Sequence, residues 1–185
     1  MPSPKPNPPL SRPLAALHRE LRIPATYAAE RQLVAYADAP AGELVEVGIN
    51  DDGRPILLVR PAAEAWANMR SAAARDDLEL MPISGFRSVA RQAEIFREKL
   101  AAGQQLDAIL RYVAAPGFSE HHSGRALDIG SPDHLELDED FAHTAAYRWL
   151  EWHAGEFGFT LSYPRDNPHG IGYEPWHWFW QEGSV

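Results

Sequence analysis

Leu78 to Gly103 reads LELMPISGFRSVARQAEIFREKLAAG, and a change of period inside it sets the fold class. The first seven residues, LELMPIS, read as a strand, which Pro82 confines to a sheet edge or a strand end because proline brings no amide proton to a ladder. From Ser88, a residue type that caps helices, Val89, Ala93, Phe96 and Leu100 share one helical face until Gly103 stops the run. A strand therefore feeds a helix through the short link Gly85-Phe86-Arg87.

Upstream, Glu43 to Ile49 (ELVEVGI) alternates and is rich in β-branched residues. Asn50-Asp51-Asp52-Gly53 then offers turn chemistry before Pro55 to Arg60 (PILLVR), which together predict a β-hairpin. Pro61 suits a first helical turn, and Ala62, Ala65, Trp66, Met69 and Ala73 recur at helical spacing to about Arg75. Leu14 to Leu21 and Ala25 to Tyr36 read as helices, with Pro24 and Pro40 as breakers. Residues 1–13, MPSPKPNPPLSRP, read as an extended proline-rich arm.

Downstream, Gln105 to Val113 reads as a short helix, Ala115-Pro116-Gly117 as a loop, and Ser119 to Gly130 (SEHHSGRALDIG) as a loop ending in an apolar strand. Phe141 to Phe157 is helical in pattern and stops at Gly158; Thr160 to Tyr163 and Trp176 to Trp180 are the last strand candidates. Helices and strands are mixed without βαβ alternation, so the class is α+β, with a small mainly antiparallel sheet flanked by helices. A chain of 185 residues is expected to form one domain, here residues 14–185.

Composition narrows the chemistry. Seventeen basic against 26 acidic residues give a net charge of −9, which repels nucleic-acid phosphates and anionic membranes, so neither is an expected partner. With no cysteine, thiolate zinc fingers, disulfide scaffolds and cysteine nucleophiles are excluded, and any metal must rest on His, Asp and Glu. No apolar run approaches the roughly 18 residues of a membrane span. No secretory signal is visible, so the expected compartment is the cytosol, or the envelope by another export route.

Eight histidines are too many to weigh equally. A His followed seven residues later by Asp, as in His121 and Asp128, is expected about 0.5 times by chance, so the spacing alone says little. Context says more. Asp128 lies between Leu127 and Ile129 in a strand fit for a core, where an ionised carboxylate is costly unless paired or metal-bound. Glu174-Pro175-Trp176-His177 places a second carboxylate and imidazole inside the most aromatic segment, Tyr173 to Trp180. Two imidazoles and one aspartate suffice for a tetrahedral zinc with one open position, and Glu174 beside it is the candidate proton acceptor. Residues three apart on a regular strand face opposite sides, so this reading requires a bend around Pro175.

These residues resemble the zinc D-alanyl-D-alanine carboxypeptidases of the VanY type, in the wider group with VanX dipeptidases and some phage endolysin peptidases. The signature Ser-x-His-x-x-Gly-x-Ala-x-Asp stands as Ser119-Glu120-His121-His122-Ser123-Gly124-Arg125-Ala126-Leu127-Asp128. Glu-x-Trp-His stands as Glu174-Pro175-Trp176-His177, and Ser-Gly-Tyr-Arg-Ser as Ser84-Gly85-Phe86-Arg87-Ser88 with Phe for Tyr. The resemblance covers about residues 78–180 and is looser before them. It implies a fold shared with the Hedgehog signalling domain. It also implies a single zinc ion on His121, Asp128 and His177, with Glu174 as general base and Arg87 steadying the substrate carbonyl or oxyanion. Gln92 and Ser119 are implied to hydrogen-bond the terminal carboxylate or nearby amides, and His122, one place off the pattern, is not expected to be a ligand.

The implied activity is removal of a C-terminal D-alanine from peptidoglycan-type peptides by a monomer. Rival readings within the same chemistry are an L,D-carboxypeptidase, a D,D-dipeptidase and a stem-peptide endopeptidase; a non-catalytic zinc module lies outside it. Metal-free, His121, Asp128 and His177 would be a buried hydrogen-bonded cluster, and Arg87 a strut at a strand-to-helix junction. The acidic run Asp133 to Asp140 (DHLELDED) reads as a solvated loop, since it lacks the turn glycine of a calcium loop.

Overall fold

Helix α1 (Arg12–Glu20) opens at Ser11, whose side chain accepts from the Leu14 amide, with Pro13 in the first turn. The computed structural model describes residues 10–183. The predicted arm therefore lies outside the described residues as far as residue 9, and it ends before α1 rather than at residue 13. The helix expected over Ala25 to Tyr36 shrinks to one turn, α2 (Tyr27–Glu30). Gln32 takes a left-handed φ of 51° and breaks it. The chain beyond runs extended, with the amides of Tyr36 and Ala39 donating to Gly117 and His122.

The hairpin forms as β1 (Leu44–Ile49) and β2 (Pro55–Val59), antiparallel, with a register shift between Glu46 and Gly48. Helix α3 (Arg60–Arg75) follows with Pro61 in its first turn and buries Ala62, Trp66, Met69 and Ala73. The next strand, β3 (Met81–Ser84), is shorter than expected, because Asp77 at φ 57° carries the chain out of α3 through a turn first. Helix α4 (Val89–Ala101) starts at Ser88, whose side chain accepts from the Arg91 amide, and α5 (Leu106–Tyr112) follows.

After a 3-10 turn at Glu120–Ser123 comes β4 (Ala126–Gly130), buried along its whole length. The helix predicted over Phe141 to Phe157 is divided: α6 (Ala145–His153) is flanked by 3-10 turns at Glu139–His143 and Ala154–Phe157. Thr144 causes the first break. It is extended, and its hydroxyl accepts from the Tyr147 amide as a cap. β5 (Phe159–Leu161) and β6 (His177–Trp180) complete a four-stranded antiparallel sheet of order β3-β4-β6-β5, with Pro82 on its edge strand.

Two apolar clusters are built on this frame. One joins the hairpin, α3 and α6 to Leu127, Ile129 and Trp178; the other joins α1, α4 and α5 to Phe118, Tyr163 and Ile171. Side chains alternate along β4, so with Leu127 and Ile129 turned into the first cluster, Asp128 must face the other side of the sheet.

Candidate metal centre

Asp128 is the cross-strand partner of His177 on β6 and of Ser84 on β3, so two chain-distant side chains share a face by register alone. The third member arrives from the 3-10 turn, which ends at Gly124 with a left-handed φ of 66°; a Cβ there would press on Leu44 and Val59. That turn brings His121 Nε2 to 3.3 Å from Asp128 Oδ2, while His177 Nδ1 lies 2.9 Å from Asp128 Oδ1. One ligand atom from each of His121, Asp128 and His177 lies within 4.8 Å of the others, and all three residues are buried.

The donor set fits a small divalent cation. Metal bonds of about 2.0–2.1 Å in a tetrahedron put ligand atoms about 3.3 Å apart, near the 2.9 and 3.3 Å that separate Asp128 from the two histidines. The tautomers fit as well. His121 Nδ1 donates to the Gly85 carbonyl at 2.7 Å, which leaves the Nε2 lone pair turned toward Asp128. Gly85 can supply that carbonyl because it lies flat against β2, where any side chain would strike the Leu57 oxygen.

The charges are mutually supporting. Burial works against ionised Asp128, but the two histidines outweigh it and hold its carboxyl below the usual carboxylate range. Burial likewise disfavours a charged His177, yet hydrogen bonds to Asp128 and Glu120 raise its pKa to about 10. His121 is lowered by burial. Glu174, buried beside the cluster, is pushed up to about 7, chiefly by desolvation.

The bend required at Pro175 is present, as the His177 amide donates to the Glu174 carbonyl across a tight turn. It brings Glu174 and His177 into the lining of one cleft of about 490 Å³, together with Arg87, Gln92, Ser119 and Tyr163. Two atoms in this lining lack partners among the described residues: Arg87 Nε and Gln92 Oε1, both buried. Gln92 Nε2 is already used, donating to Ala114 O at 2.6 Å.

Residues 55–183 match the family described as VanY, D-alanyl-D-alanine carboxypeptidase. The chain belongs to this family. The D-alanyl-D-alanine carboxypeptidase of Enterococcus faecalis is 30% identical over 178 residues, which cover 89% of this chain and 57% of that protein. A Bacillus subtilis relative, 35% identical over 136 residues, is covered to 50%, so the chain spans about half the length of these relatives. The solved LdcB LD-carboxypeptidase superposes with a TM-score of 0.69 at 31% identity, over 80% of this chain and 72% of that one. A Zn(II) complex of the vancomycin-resistance D,D-pentapeptidase VanY gives 0.59 at 28% identity, over 81% and 87%.

In this VanY-family chain every residue singled out from sequence lies in or on one cleft: His121, Asp128 and His177 as the cluster, Glu174, Arg87, Gln92 and Ser119 as lining. His122 lies outside the cluster, with Nδ1 donating to Arg87 O at 2.6 Å and Nε2 accepting from Gly117 N at 3.1 Å. Burial lowers its pKa to about 4, so the ring is a neutral brace. Two further residues of the site are not apparent from sequence. Tyr163 packs its ring 4.9 Å from that of His177, and Glu120 Oε2 lies 2.9 Å from His177 Nε2. Glu120 occupies a variable place in the signature, and its only signal is a carboxylate beside a histidine on an otherwise buried turn. The acidic run 133–140 is largely exposed, as a solvated loop should be.

Proposed function

We propose that this chain is a zinc-dependent carboxypeptidase that removes a C-terminal D-alanine from peptidoglycan-type peptides. The observation that carries the reading is the convergence of His121, Asp128 and His177 in a cleft that Glu174 and Arg87 also line. One zinc ion on those three residues would supply Lewis-acid activation of water and of the substrate carbonyl.

The chain's own groups do the rest. Glu174 takes the proton of the attacking water on a carboxylate oxygen and returns it to the leaving amine nitrogen. Arg87, whose buried Nε has no partner among the described residues, donates to the carbonyl oxygen as negative charge builds on it. Gln92, with Nε2 committed to Ala114, accepts a substrate N–H at Oε1, and Ser119 lines the cleft close by. Burial of the ligands and of Glu174 keeps bulk water from competing.

A second reading, cleavage behind an L-residue, is favoured by the greater structural similarity to the LD-carboxypeptidase LdcB, 0.69 against 0.59 for VanY. One experiment separates them. Purified, zinc-loaded protein is incubated with stem peptides ending in D-Ala-D-Ala, ending in a single D-Ala, or cross-linked, and the products are weighed by mass spectrometry. Loss of one alanine from the first peptide supports the D,D reading, and loss from the second alone supports the L,D reading. A zinc-loaded protein that cleaves none of the three refutes both.

A further inference from the structure

We propose that Glu120 is a positioning residue that fixes the tautomer and ring orientation of His177, an inference that rests on the metal reading above. His177 Nδ1 lies 2.9 Å from Asp128, inside the ligand cluster, whereas Nε2 lies 2.9 Å from Glu120 Oε2, on the far side of the ring. An imidazole grips a cation through one lone pair, so its other nitrogen must carry the proton, and the acceptor of that proton decides which face the lone pair takes. Glu120 is that acceptor.

The carboxylate is itself held in place. Ser162 Oγ donates to the same Oε2 at 2.6 Å, and the Ser162 amide donates to the His177 carbonyl, so the residue following β5 braces both Glu120 and the histidine it serves. The Glu120 side chain is 16% exposed, a costly place for a charge unless the imidazole and the hydroxyl compensate it. Glu120 also directly precedes His121 in the 3-10 turn. One turn therefore presents one ligand to the cation and aims the second. Glu120 is neither a member of the ligand cluster nor part of the cleft lining, and its hydrogen bond to the cluster is the one to His177.

The test reads the metal and the ring rather than turnover. Zinc affinity of the full chain is measured by competition with a chelator of known affinity for wild type, E120A and E120Q, and His177 is followed by 15N NMR in the zinc-loaded proteins. Wild type is expected to show a protonated Nε2 and a metal-bound Nδ1. E120A is expected to bind zinc about 10- to 100-fold more weakly and to lose the protected Nε2 proton signal. E120Q, which keeps an acceptor but loses its charge, is expected to bind about tenfold more weakly while retaining that signal, and it alone decides the matter if E120A does not fold.

Unchanged zinc affinity in the folded variants overturns the proposal, as does a lowered melting temperature with His177 spectra identical to wild type, which would make Glu120 a structural brace. Wild type that binds zinc while the variants match it defeats this inference alone. Wild type that binds no zinc defeats the proposed function as well.

Discussion

Asp128 and His177 face each other across β4 and β6, with Oδ1 and Nδ1 2.9 Å apart and both side chains buried. Register alone makes this pair, and the carboxylate also reaches His121, so it is the common member of the cluster. Asp128→Ala is expected to abolish stoichiometric zinc binding and to lower kcat/KM by at least about 1,000-fold. In the zinc-free chain it also strips the buried His177 Nδ1 of its acceptor, at a cost of about 1–3 kcal/mol in stability. Metal analysis of the purified variant with a thermal melt checks both; a variant that retains one zinc per chain contradicts the assignment.

Glu174→Gln keeps shape and removes the proton acceptor. Zinc content should stay at the wild-type value, and hydrolysis should fall by about 100- to 10,000-fold, the usual worth of a positioned general base. Hydrolysis at the wild-type rate would show that the proton travels by another group.

On the proposed zinc reading the ion binds only the folded cluster, so removing it should destabilise the chain. Free zinc at about 1,000 times its dissociation constant adds about 4 kcal/mol. In a domain of this size, 1 kcal/mol moves the melting temperature by about 2–4 °C. Stripping with a chelator should therefore lower the midpoint by about 8–16 °C, and added zinc should restore it. Identical midpoints with and without zinc would mean that no such site forms.

Gly85 is pressed between β2 and His121 of the cluster. Its backbone accepts from His121 Nδ1, and the neighbouring Phe86 amide donates to Leu57 O at 2.7 Å. A methyl group there meets the Leu57 carbonyl, a backbone atom that cannot swing aside. Gly85→Ala should cost about 1–3 kcal/mol by overpacking. It should also weaken zinc binding by moving the oxygen that fixes the His121 tautomer. A variant with wild-type stability would show that the β2 contact is slack.

How legible each feature is in the sequence depends on how local its cause is. The hairpin, α3 and α4 are set by neighbours a few residues apart, a turn, a first-turn proline, a serine cap, and the pattern displays them. The anomaly of Asp128 between two core residues is equally readable, because burying a charge is improbable without a partner. Residues 31–36 leave their helical pattern, and the amides of Tyr36 and Ala39 bond instead to Gly117 and His122, more than 80 residues ahead. The break at Thr144 is hidden because an apolar pattern continues through it while its cap starts a new helix. Glu120 is hidden for a related reason: its partners His177 and Ser162 are brought to it only by the pairing of β4 with β6 and of β6 with β5, which no single segment announces.

His122 offers a test of how Arg87 is held apart from how the metal is held. Its neutral ring joins the Arg87 carbonyl to the Gly117 amide, tying the loop before α4 to the loop before the 3-10 turn. His122→Ala leaves a part-buried carbonyl and a buried amide without these bonds, which should cost about 1–3 kcal/mol. Because the ring bonds no member of the cluster, zinc should still bind one per chain. Arg87 is then free to drift from the cleft, so kcat should fall more than zinc affinity does. Loss of zinc with little change in stability would place His122 in the metal site and overturn this division of labour between two adjacent histidines.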